Sequence, residues 1–92
     1  MTSLEIAKRA IADILAERNR QDEKWGVQDH APDRWLRIIK KELGEASAAS
    51  LWTNWEVVNP ACEYRRKLVE VAASAMAAIE NFDRQIERNH DH

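Results

Sequence analysis

Cysteine occurs once in the 92 residues, and glycine and proline twice each. A lone Cys62 excludes an intramolecular disulfide framework and a zinc centre built on several thiolates, and it fits a reducing compartment. Two glycines and two prolines supply too few turns for a many-stranded sandwich or barrel. Long apolar runs are missing. Glu5, Lys8, Arg9 and Asp13 break the N-terminal segment, so neither a signal peptide nor a membrane span is expected, and a cytoplasmic protein is. Excess charge of one sign is missing too: 14 Lys and Arg stand against 16 Asp and Glu. A net charge of −2 lacks the strongly basic surface of a general nucleic-acid binder. No nucleophile elbow, catalytic triad pattern or phosphate-binding glycine loop is present.

What remains favours helices. Hydrophobic residues make up 45% and charged residues 33%, and 14 of the hydrophobic positions are alanine. Residues 1–92 read as one all-α domain. A domain of this size buries only about 60–65% of the surface its unfolded chain exposes, so a core completed by homo-oligomerisation is expected.

The first helix is predicted over residues 2–24, roughly 33 Å long at about 1.5 Å per residue. Thr2 and Glu5 have capping-box spacing. Ala7, Ala10, Ile11, Ile14 and Leu15 form an apolar stripe, with Lys8, Arg9, Asp13 and Glu17 on the other face. Gly26 ends this helix, and Gly26 to Pro32 reads as a loop. Asp33 is the expected N-cap of a second helix running to about Leu51, with Trp35, Ile39, Leu43 and Ala46 as its stripe. A connector with Asn59-Pro60 as its breaker leads to a third helix from about Ala61 to Arg88. Its stripe is Leu68, Val71, Ala72, Ala75, Ile79, Phe82 and Ile86. The run from Ala72 to Ala78 is small on every side, which allows close approach from more than one direction. The tail from Asn89 to His92 is polar and expected to fray.

The residues that could carry chemistry are mainly acidic. Glu42 and Glu45 share one helical face beside Gly44 and Ala46, and Glu70 lies on the third helix one position off its stripe. Carboxylates brought together from two helices suit Mg²⁺ or Mn²⁺. The plainer alternative is solvated faces with an Arg66–Glu70 pair at i,i+4. Lys40, Lys41, Arg65, Arg66 and Lys67 lie near the same segments and either neutralise these carboxylates, contact substrate phosphates, or serve solubility. Of four tryptophans, Trp35 reads as core, whereas Trp25 ends a polar run where a ring can stack on a base. His30, His90 and His92 read as inert.

Three segments together resemble the small MazG-like proteins common in bacteriophages and prophages. They are Glu17 to Gly26 (ERNRQDEKWG) with His30 and Trp35, Ile39 to Ala46 (IKKELGEA), and Tyr64 to Asp83 (YRRKLVEVAASAMAAIENFD). The second is similar to that family's E-E-x-x-E metal motif and the third to its E-L-x-D/Q-V-A-A helix, and the resemblance covers roughly residues 4–88. It implies a three-helix MazG-like bundle that forms homodimers or homotetramers. The implied activity is Mg²⁺-dependent conversion of a nucleoside triphosphate to the monophosphate and pyrophosphate, acting on non-standard or surplus nucleotides. Glu42 and Glu45 would be catalytic, and Glu42, Glu45 and Glu70 would hold the metal. Lys41, Lys67, Lys24 and Trp25 would bind substrate. Two family acids are replaced: the first Glu of E-E-x-x-E falls on Lys41, and the Glu of the second motif falls on Lys67. Each lysine near a divalent ion would cost on the order of several kcal/mol, so the three remaining carboxylates suit one ion rather than two. A second reading follows from the same lysines, namely a degenerate member that binds nucleotides or a protein partner without hydrolysis. A third is a purely structural helical dimer.

Overall fold

A computed structural model describes residues 1–90 as three helices, α1 (Ser3–Trp25), α2 (Pro32–Ser50) and α3 (Glu63–His90), with no strand among the described residues. The all-α expectation holds. His92, read above as inert, lies outside the described residues.

Local chemistry explains where the helices begin and end. The Thr2 hydroxyl accepts the Glu5 N–H at 3.2 Å, and the Glu5 carboxylate accepts the Thr2 N–H at 3.3 Å. This is the capping box read from the sequence. Gly26 ends α1 at φ +72°, a left-handed conformation that glycine adopts without a Cβ clash, and its N–H donates to the Asp22 carbonyl at 2.8 Å. The start of α2 differs from expectation. Ala31, not Asp33, is the N-cap, and it makes no side-chain cap bond. The fixed φ and missing N–H of Pro32 suit the first helical turn, so the helix starts earlier and Asp33 lies inside that turn.

The helices α1 and α2 each pack on α3 and not on one another. The contact face of α3 is small: Ala73, Ser74, Ala77 and Asn81 are buried, opposite Trp35 and Ala46 of α2. The Asn81 amide oxygen accepts both the Trp35 indole N–H and the His30 backbone N–H, each at 2.7 Å. His30 also sits edge-on to the Trp35 ring. Arg84 and Arg88 both hold Asp29 at 3.1 Å. The loop between α1 and α2 is therefore tied to α3 at several points.

The predicted apolar stripes mostly do not face this core. Ile11 and Leu15 of α1 are exposed, as are Leu43 of α2 and Leu68, Ile79, Phe82 and Ile86 of α3. The side of α1 that meets α3 is rotated from the predicted stripe: Asp13, read as outward, pairs with Arg65 at 2.7 Å, and Arg18, at stripe spacing from Ile11 and Ile14, is buried against Glu80. The physical reason is width. An alanine-rich α3 lets neighbours approach on its small side, and the larger side chains around its circumference are left unpartnered.

The Arg18 guanidinium grips Glu80 with two bonds, Nε at 2.8 Å and a terminal nitrogen at 3.1 Å, and also reaches Asp22 and Gln21. Its hydrogen bonds to Glu80 hold that carboxyl below its ordinary range, against a smaller opposing effect of burial. Glu80 keeps part of its solvent exposure and can rehydrate. Arg18→Met should therefore cost about 1–3 kcal/mol in urea denaturation at neutral pH, less than a fully buried pair would. A depressed folded-state pKa means that the contribution of Glu80 is present above its unfolded pKa and lost as pH falls through the folded one. The stability gap between wild type and Glu80→Gln should shrink on acidification below about pH 4.5. A gap that stays constant with pH would contradict the pairing.

Candidate functional site

Since α1 and α2 share α3 without touching, a cleft of about 460 Å³ opens between them with α3 as its floor. Each helix contributes one stripe at helical spacing. Glu17, Gln21 and Lys24 come from α1; Ile38, Lys41, Glu42 and Glu45 from α2; Lys67, Glu70, Ser74 and Ala77 from α3. Trp25, at the end of α1, lines the same cleft. The structure thus brings all seven residues singled out from the sequence, Lys24, Trp25, Lys41, Glu42, Glu45, Lys67 and Glu70, to one place.

Glu42 is the least satisfied of them. Its Oε1 is buried and has no hydrogen-bond partner. Burial pushes its carboxyl above the ordinary range, and the charges of Glu70, Glu45 and Glu17 push the same way, while the Ser74 hydroxyl opposes them. Glu45 and Glu70 come from different helices and share one cation: Lys67 Nζ lies 3.8 Å from Glu45 and 3.5 Å from Glu70. Glu70 also takes the expected Arg66 pair at 3.2 Å. The surface-pair reading and the site reading of Glu70 are thus both visible at one carboxylate.

Glu17 is a fourth carboxylate, missed in the sequence. The apolar stripe predicts an outward position for it, yet it lines the cleft with its carboxylate gripped by Arg20 at 2.7 and 2.8 Å. The signal that could have found it is the Glu17-x-x-x-Gln21-x-x-Lys24 polar stripe, continuous with Trp25. Near it, Lys24 Nζ stands 4.7 Å from the centre of the Trp25 ring, a cation–π arrangement that leaves the ring half exposed. Trp52 and Trp55 lie elsewhere, exposed on the connector between α2 and α3.

The cleft therefore holds an acidic centre flanked by lysines and one open indole. Such a centre offers hard oxygen donors, which suit Mg²⁺ or Mn²⁺, and the buried, unpartnered Glu42 Oε1 is a donor of that kind. Among the described residues no three acidic, histidine or cysteine side chains stand close enough to enclose an ion, and it is Lys67 that spans Glu45 and Glu70. The donors fit one divalent ion in chemical type, provided that Lys67 turns aside. Compared with known proteins, the chain matches no family model, no curated protein and no solved structure.

A carboxylate kept half-buried among other acids opposes folding. Glu42→Gln keeps the shape and removes the charge, so it should stabilise the protein by about 0.5–1.5 kcal/mol in chemical or thermal denaturation. A loss of stability would show that the Glu42 carboxylate supports the fold.

Proposed function

We propose that the chain is a MazG-like nucleoside triphosphate pyrophosphohydrolase that releases a nucleoside monophosphate and pyrophosphate, and that it works as a homo-oligomer. The observation that carries this reading is the convergence of Glu42, Glu45 and Glu70 on one cleft together with Lys24, Lys41 and Lys67 and the open Trp25 ring. A triphosphate needs cations along its length and a platform for its base, and this cleft lines up both kinds of group. Glu42, Glu45 and Glu70 would hold one Mg²⁺, which neutralises phosphate charge and lowers the pKa of water. Lys67 and Lys41 bind and orient the phosphate chain. Trp25 stacks on the base through the ring face that Lys24 does not cover.

The enzyme reading is tested by pyrophosphate release from standard and modified nucleoside triphosphates with Mg²⁺, with Mn²⁺ and with EDTA. Metal-dependent release is expected, falling about 100-fold or more in Glu42→Ala and Glu45→Ala variants that keep their helical circular dichroism. A second reading, nucleotide binding without hydrolysis, draws on one observation: Lys67 already neutralises two of the carboxylates. Nucleotide binding that survives EDTA, with no pyrophosphate released, would establish that reading in place of the first.

The oligomer reading rests on the unpartnered stripes. Ile11, Leu15, Ile79 and Phe82 are each at least half exposed, and among the described residues no large side chain is fully buried. A lone chain would present this apolar surface to water, where a second copy could cover it. Light scattering should give at least twice the 10.7 kDa chain mass, and Phe82→Asp should lower it. A wild-type mass of one chain at micromolar concentration would overturn this part.

A further inference from the structure

We infer that Lys67 is a built-in counter-cation that keeps free divalent metal out of the cleft and yields its place only when metal and nucleotide phosphates arrive together. The inference rests on the metal-dependent reading of the same cleft and specifies how that site is loaded.

Lys67 projects from α3, its side chain largely buried, with its ammonium within 4 Å of carboxylates on both α2 and α3. It is the cation that Glu45 and Glu70 have in common. A divalent ion entering alone would meet a tethered positive charge between two of its three donors, and it would bring no anion to take the ammonium in exchange.

A metal–nucleotide complex changes that balance. Its phosphates are acceptors for the ammonium, so Lys67 can exchange two carboxylates for phosphate oxygens while the metal takes the carboxylates. Three features allow the exchange. The distances of 3.5 and 3.8 Å are longer than those of tight charge-assisted hydrogen bonds, so phosphate oxygens that approach closer can take the ammonium over. Arg66 remains on Glu70 at 3.2 Å, so that carboxylate is not left uncompensated. The lysine stem is flexible, and its head group is a point charge with no fixed fork geometry to satisfy. Glu42, whose buried oxygen has no partner, stays available throughout.

The test uses Mn²⁺ alone as the probe, titrated into nucleotide-free protein and followed by the electron paramagnetic resonance of the free ion. Wild type and Lys67→Arg should bind it weakly. Lys67→Gln and Lys67→Met, both uncharged and both checked for unchanged helical circular dichroism, should bind at least tenfold more tightly. The double variant Lys67→Gln with Glu42→Gln should lose that gain, which ties the ion to this cluster. Neutral variants that bind no more tightly than wild type overturn the inference, as does tight Mn²⁺ binding by nucleotide-free wild type. Pyrophosphate release by wild type is scored separately. A tenfold gain without turnover would sink the hydrolase reading and leave the role of Lys67 standing, whereas turnover without a gain would sink the role of Lys67 alone.

Discussion

The narrowness of α3 governs the molecule. Ala73, Ser74 and Ala77 present almost no side-chain bulk, so a neighbour can dock close to the backbone. Both α1 and α2 use this one helix, and neither supports the other. Two helices resting on a shared third leave a trough between them, and the cleft is that trough. Leucines at these α3 positions would make a conventional core and would fill the floor on which the acidic centre sits. The small residues thus serve packing and access together.

The two docked helices are attached by different physics. Trp35 and Ala46 of α2 are buried, with Asn81 satisfying the one polar atom of the indole. By contrast, α1 is pinned by charge, through Arg18 on Glu80 and Asp13 on Arg65. Ion pairs that keep part of their exposure hold less firmly than buried apolar surface and are weakened by salt. The helix that carries Glu17, Lys24 and Trp25 is therefore the more loosely held wall of the cleft. Its apolar residues, Ile11 and Leu15, are turned away from its own chain.

Much of this was readable from the sequence, and the failures share a cause. Local signals decided local outcomes: the Thr2–Glu5 box and the Gly26 stop act over a few residues, and the structure has both. Trp35 is a core residue as its spacing predicts, and Glu42, Glu45 and Glu70 line one cleft. Periodicity, however, reports only that a helix has an apolar face, not what that face meets. Periodicity therefore predicts Ile11, Leu15, Ile79 and Phe82 inward, and they lie outward. The same assumption placed Glu17 and Asp13 in solvent. Asn81 gave no signal at all, because its role depends on an indole 46 residues away.

Asn81 has a mechanical consequence. One amide oxygen fixes both the last part of the α1–α2 loop and the first turn of α2, and Asp29 is moored nearby by two arginines. That end of the trough is anchored at two points. The opposite end of α2 runs into the exposed connector from Leu51 to Cys62, where bonds such as those of Thr53 and Asn59 stay within the connector and its helix ends. Ala46, 2% exposed, holds α2 against α3 near its other end, so the slack of the connector begins only beyond the helix. Glu45, next to Ala46, thus stands on a beam moored at both ends, and its spacing from Lys67 is set by packing.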